Sequence, residues 1–459
     1  HTSATFSNCS FTNTIIEVTG KSHDNIVFLN STFKYSKQLS IINYLKFSNC
    51  NKVLFCACYF HSKNKIGVRE ITTIYCINIP RVVFRNCLIR NMTGSSIFVK
   101  NCKEFILIKL VLLNVFSINK KSGKAVVIRN TIKVKIMLSK FLNIKSSPIV
   151  VKDSNSIMIK SSSFENCTGK MNVGISTETS KNSLFISIQK TSFKNLISDK
   201  HSGGILTVLF VRHQVTEKIA NKSTLKIISA LDDKIAEKIN TILKIKIILK
   251  DAIFEKCQTN GNGGTVQLFL NSQSFHDNWI SGQGQYGNYY NNITNVQLVN
   301  VVFLYNKAQG LGGCVYVVGF RNIEMLACNI FKSTAHKNGS VYLYGIRNVI
   351  VRNVTLISNY NKENGNIYIE YSSVVQFLHC TFLNNTARYN GGGLYAKKVN
   401  SLLIYHSIFQ ENTASSLKGG GVCIERNAKV IISLSKFTKD KADFGGGAIL
   451  IFGNGNGHI

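Results

Sequence analysis

Short runs along this chain alternate apolar and polar residues, as in Val422-Cys-Ile-Glu425 and Lys429-Val-Ile-Ile-Ser-Leu-Ser435. Period-two runs of this length predict half-buried β-strands. Clusters of Gly, Asn and Asp separate them, and these residues supply turns. The runs recur on a fixed period, which marks a repeat architecture. One position reads Tyr316, Tyr342, Tyr368, Tyr395, Cys423 and Ile449, in steps of 26, 26, 27, 28 and 26 residues. A second reads Ile330, Leu356, Phe382, Phe409 and Phe437, in steps of 26, 26, 27 and 28. It extends back through Phe303, Phe254, Phe193, Phe164 and Phe141 to Leu112 and Leu88, with Phe6, Phe28 and Phe47 as further copies.

Three short strands cannot bury an inner face alone, but stacked copies about 4.8 Å apart bury it against each other. The predicted fold is all-β: a right-handed parallel β-helix, a pectate-lyase-like solenoid of about 26 residues per coil and roughly 15 coils, one domain over residues 1–459. A helical repeat would need three- and four-residue apolar spacing and would lack the Gly-Gly steps. Like side chains should stack, making the phenylalanine column an internal aromatic stack and the Asn-rich turns amide ladders. Two intervals are long: 61 residues from Phe193 to Phe254 and 49 from Phe254 to Phe303. The excess is read as insertions projecting from the solenoid, at 211–250 (Lys-rich) and 271–291. The second carries Trp279, Tyr286, Tyr289 and Tyr290, a candidate contact loop. Insertions in a solenoid map to loops on one side, often the binding side.

The formal charge of +33 raises the question of a polyanionic partner. The Asn-, Lys- and Ile-rich composition fits an AT-rich coding bias, and the lysines are strewn through the repeats, as in Lys133-Val-Lys135 and Lys244-Ile-Lys-Ile-Ile-Leu-Lys250. A solvated face is expected, with no specific nucleic-acid partner. The longest apolar run, Phe105 to Phe116, is broken by Lys109 and too short to span a membrane. Glycosidic cleavage on such a scaffold needs converging carboxylates. The nine Asp are dispersed; Asp232-Asp233 falls in the first insertion, and Asp440 and Asp443 are read as surface residues flanking a turn. No catalytic residue, metal or cofactor is expected.

The 13 cysteines include no Cys-x-x-Cys pair. Cys56-Ala-Cys58 is predicted to place two thiols on one face of a strand, and most cysteines to stack as small buried side chains. Cys328 and Cys380 share a repeat position two coils apart, with Val354 between. In a secreted protein some inter-coil disulfides would form. The ten histidines, His201, His213, His276, His336 and His406 among them, have no ligand spacing. Of nine Asn-x-Ser/Thr sequons, Asn221, Asn292, Asn338 and Asn384 are the candidates for N-glycans, being near insertions or turns.

Phe-x-x-Asn followed by Gly-Gly-aliphatic occurs as Phe303-Leu-Tyr-Asn306 with Gly312-Gly-Cys314. It recurs as Phe382-Leu-Asn-Asn385 with Gly392-Gly-Leu394, and as Phe409-Gln-Glu-Asn412 with Gly420-Gly-Val422. This pairing resembles the repeats of the chlamydial polymorphic outer-membrane proteins, clearly from about residue 190 onward. Other copies carry Cys for Asn: Cys9, Cys50, Cys87, Cys167 and Cys257. The resemblance implies a β-helix in surface display or adhesion, and the composition suits a protist-type surface or secreted protein. The expected function is thus an extracellular structural β-helix protein of a cell-surface coat, matrix or filament; the alternatives are an adhesin for acidic glycans and, further off, a polysaccharide lyase or hydrolase. The chain begins at His1 and breaks off after a repeat signature, which reads as a piece of a longer protein. With no evident cap, end-to-end self-association is expected.

Overall fold

The computed structural model describes residues 3–21, 24–35, 43–62, 72–116, 124–169, 173–199, 204–211, 244–262, 264–271, 293–426 and 429–453. They form an all-β parallel solenoid of about 27 residues per turn. In one coil the strands are Val315–Val318, Asn322–Leu326, Asn329–Phe331 and the two-residue Thr334–Ala335. Stacked on their equivalents, they make a first, second, third and fourth face. The first two faces form one sheet of 28 strands, because Ile367–Leu378 and Leu394–Tyr405 pass their shared corner unbroken. The third is a 15-stranded sheet, matching the expected number of coils, and the fourth has nine strands.

Among the described residues every strand pairing is parallel and joins equivalent positions, as in Val341 beside Ile367 beside Leu394. The third face sends one residue per coil inward. That column runs Phe11, Phe33, Phe60, Ile89, Leu112, Phe141, Phe164, Phe193, Phe254, Phe303 and on to Phe437. Phe141, Phe164, Phe193 and Phe254 stack at centroid distances of 4.6, 4.9 and 4.7 Å. Offset ring stacking adds to the area each ring buries.

Several sequence assignments shift. Ile89, not Leu88, belongs to the third-face column, and Leu450, not Ile449, continues the tyrosine column beyond Cys423. A one-residue slip in a strand exchanges inner and outer faces. Phe6 and Phe28 lie on the second face, stacked with Phe55 and Phe84, and Phe47 lies on the first, beside Cys76. The sequence motif does not distinguish these three interior columns, since each offers an apolar residue shortly before an Asn-containing corner.

The long intervals do not interrupt the stack: Phe193, Phe254 and Phe303 are consecutive. Val211 pairs with Asn271, and Lys244 with Ile293. Both intervals therefore leave at the end of the first face and return at the start of the second, in adjacent coils. The excess is shorter than 211–250, because Lys244–Lys250 is a second-face strand with alternating buried residues. Residues 212–243 and 272–292, with Trp279, Tyr286, Tyr289, Tyr290, Asn221 and Asn292, lie outside the described residues.

Corners are made by left-handed residues, many of them Asn: Asn86, Asn114, Asn143, Asn166 and Asn195 have φ near 53°. Asn tolerates this region better than other non-Gly residues. The Gly-Gly signature has a different cause. A Cβ on Gly392 would lie 2.4 Å from the Gly420 carbonyl oxygen and 2.6 Å from that of Thr413, so the fourth face closes there only on bare backbone.

Truncating the column should be costly. Phe254→Ala is expected to lower stability by about 3–5 kcal/mol in urea unfolding followed by circular dichroism, and Phe254→Leu by much less.

Candidate functional site

Alternation turns Tyr316, Tyr342, Tyr368 and Tyr395 to the outside of the first face, where they stack at 5.3, 5.1 and 5.3 Å. Mutual stacking buries the last three almost fully despite their outward direction. Two positions on, the outer column reads Tyr344, Glu370, Lys397 and Glu425. The Tyr368 hydroxyl donates to Glu370 Oε2 at 2.8 Å, and that of Tyr395 to Glu425. Lys397 Nζ lies 3.9 Å from one carboxylate and 3.7 Å from the other. Lys398 donates to the Tyr371 hydroxyl. Burial pushes the Tyr344 phenol up to about 12 and those of Tyr342, Tyr368 and Tyr395 further. These phenols therefore remain protonated, Tyr368 and Tyr395 as donors to carboxylates, and Lys397 stands between the two carboxylates. The arrangement stiffens the outer wall.

A polar column lines the corner between the third and fourth faces: Asn306, Ser333, Asn359, Asn385, Asn412 and Asp440. Each backbone N–H donates to the next side-chain oxygen, at 3.3, 2.9, 3.1, 3.1 and 2.8 Å. The Nδ2 groups of Asn359, Asn385 and Asn412 donate at 2.9 Å to carbonyls of the preceding coil. Cys167 and Cys257 occupy the same column, and their thiols donate to the corresponding carbonyls, of Phe141 and Phe193. Cys thus replaces Asn as a donor here. Cys9, Cys50 and Cys87 stand at other corners, so their likeness to this motif is confined to sequence. Asp443 is exposed as expected, but Asp440, beside the same corner, is half-buried: its Oδ1 accepts from Asn412, and its Oδ2 is buried without a hydrogen-bond partner among the described residues. Burial holds this carboxyl above its ordinary range.

All 13 thiols are free, and only Cys9 and Cys56 are less than fully buried. Cys56 and Cys58 do not share a face, because Ala57 between them is left-handed (φ 53°) and turns Cys58 inward. Cys58 and Cys87 occupy one corner position in adjacent coils, the Leu88 N–H donating to the Cys58 carbonyl at 3.0 Å. Cys328, Val354 and Cys380 follow the expected spacing. Burial pushes the thiols of Cys102, Cys167, Cys257, Cys314 and Cys423 to about 12 and those of Cys328 and Cys380 to about 11, far from thiolate chemistry. Among the described residues no group of three His, Cys, Asp or Glu could hold a metal ion. His336 lies 2.9 Å from Lys362, and His379 stacks on His406 at 5.2 Å; His201, His213 and His276 lie outside the described residues.

Asn384 is exposed at a left-handed corner (φ 51°). Asn338 is half-buried, its Oδ1 accepting from the Asn364 N–H and Nδ2 at 3.2 and 2.9 Å. Sequence reasoning passed over Asn8, Asn30, Asn166 and Asn353, which share the exposed left-handed geometry of Asn384. Their common signal is a corner Asn, an inward residue, then an outward Ser or Thr opening the next strand.

Residues 379–397 match the Chlamydia polymorphic membrane protein repeat. That stretch holds the Phe382-to-Asn385 strand and corner, the Gly391–Gly393 turn and the start of a first-face strand. The chain is a parallel β-helix in which residues 379–397 are similar to this repeat. No curated protein matches it.

Two outcomes follow. With its carboxyl raised in the fold, Asp440 keeps its proton where the unfolded chain has lost its own, so local stability falls as pH rises from the ordinary carboxylate value through the folded one. Asp440→Asn supplies the missing donor; hydrogen exchange over residues 436–442 should show protection higher by about 1 kcal/mol at neutral pH and no such pH dependence. Alkylation of the native protein with iodoacetamide, read by peptide mass mapping, should modify Cys9 and Cys56 well before the other eleven thiols.

Proposed function

We propose that the protein is a cell-surface or secreted β-helix with a structural and adhesive role and no enzymatic one. Its finer part in this reading is to form or decorate a coat, matrix or filament. The carrying observation is the unbroken register of the interior columns: the 15-stranded third face gives a stiff rod of about 70 Å at about 4.8 Å per coil. The matched repeat, named for a membrane protein, supports surface display. Self-satisfied outer networks and the burial of eleven of the thirteen thiols support a passive wall. In a glycosylating secretory route, Asn384 and the like corners Asn8, Asn30, Asn166 and Asn353 would carry N-glycans. A second reading, an adhesin gripping acidic glycans, is favoured by the excess of outward lysines.

Biotinylation of intact source cells with an impermeant reagent is expected to label the protein; labelling confined to lysed cells would overturn surface display. Electron microscopy should show uniform rods joined into larger assemblies, and dispersed single rods would remove the filament role. Incubation with uronate polymers is expected to release no new ends.

A further inference from the structure

The corner between the first and second faces turns through Asn49, Asn78, Asn101 and Asn130, with φ of 57°, 54°, 56° and 49°. Their side chains form an exposed ladder. Nδ2 of Asn78, Asn101 and Asn130 donates to Oδ1 of the Asn one coil earlier, at 3.3, 2.9 and 3.2 Å. Basic residues border this amide row, on the second-face side at Asn49 and Asn78 and from the first-face side at Asn101 and Asn130. Where the first face ends, Lys100, Arg129 and Lys152 stack in register. Where the second begins, Lys52 and Arg81 stack, followed by Glu104 and Lys133. Lys103 and Lys135 stand beside them. Residues dispersed over a hundred positions of sequence thus converge on one edge, because the solenoid returns the same corner every coil.

Compensation is incomplete. Glu104 accepts from Arg81 at 3.1 Å and Lys135 at 2.7 Å, and these cations hold its carboxyl below the usual range. Lys152 pairs with Glu178 at 2.5 Å. Lys133 stands in register beside Glu104 and adds to the lowering of its carboxyl, whereas Lys52, Lys100, Lys103 and Arg129 form no ion pair among the described residues. Arg129 lies over the Phe98 ring at 5.5 Å, which steadies its guanidinium beside the ladder.

We infer that this corner is a binding track for a linear sulfated or uronate-bearing glycan. At each of the four corners at least one cation stands beside the Asn, first Lys52 and Arg81, then Lys100 and Lys103, then Arg129 and Lys133, so a polyanion laid along the edge meets positive charge about every 4.8 Å. The Asn amides between the rows suit hydroxyl and carbonyl groups. Single-stranded nucleic acid fits less well, because base stacking needs free ring faces; Tyr75 and Phe98 stack on each other at 4.9 Å, with Arg129 over the latter. The edge also stays clear of the protein's own glycans: Asn51, Pro80, Lys103 and Ile132 stand two residues after the corner asparagines, so none forms a sequon, whereas the exposed corner sequons border the third face. The choice of glycan over other polyanions rests on the surface reading above.

The test uses the whole chain with heparin as probe, single-stranded DNA as competitor, and affinity measured at low and high salt. The combined variant Lys100→Gln, Arg129→Gln, Lys133→Gln should bind heparin about a hundredfold more weakly at low salt. Lys160→Gln, Lys190→Gln, Lys250→Gln, which removes equal charge from the far side of the second face, should change binding by less than about threefold. Arginine at positions 100 and 133 should preserve it. Equal loss in both combined variants would overturn the track in favour of diffuse attraction. DNA displacing heparin at lower charge concentration would overturn the glycan assignment. No heparin binding by the unaltered chain would overturn the track, while cell labelling judges surface display independently.

Discussion

Parallel in-register pairing of successive coils holds every side chain about 4.8 Å from its equivalent above and below. The rest of the molecule answers to this one constraint. An inward position must be filled by something that stacks on itself: a ring on a ring, as in the Phe141–Phe254 column, or a donor on an acceptor, as in Asn359, Asn385 and Asn412. An isolated exception is exposed at once. Asp440 meets the constraint with one oxygen and fails it with the other.

The same rule acts on the outer surface. Tyrosines that would be exposed on a single strand bury each other when four stack, and the second outer column then alternates carboxylate, ammonium and carboxylate from Glu370 through Lys397 to Glu425. Where alternation of charge gives way to like charges, as at Lys100, Arg129 and Lys152, stacking concentrates positive potential along an edge. A solenoid therefore converts a mild compositional excess of lysine into a directional feature.

Corners give the asparagine content a physical role. A residue in the left-handed region costs most side chains some strain, and Asn least among non-glycines. Exposed corner asparagines make the turn and hydrogen-bond along the stack, and at the corners bordering the third face some of them, Asn8, Asn30, Asn166, Asn353 and Asn384, are followed by an outward Ser or Thr. Sequons thus arise from the geometry of turning, whatever the compositional bias that supplied the asparagines.

The repeat period, the strand alternation and the Gly-Gly turns were legible in the residues, since each reflects a requirement repeated coil after coil: an inner apolar residue, an outer polar one, and backbone contact at Gly392. From them follow the solenoid, its coil number and the third-face column from Phe141 onward. Tertiary structure decided what one period leaves degenerate. It placed Phe6 and Phe28 on one face and Phe47 on another, moved the columns by one residue at Ile89 and Leu450, and returned Lys244–Lys250 to the stack. It separated Cys56 from Cys58 through one left-handed alanine and drew scattered lysines to a single corner. The reason is common to all: sequence gives the order of residues within a coil, while contacts across coils depend on register, which a single inserted residue changes.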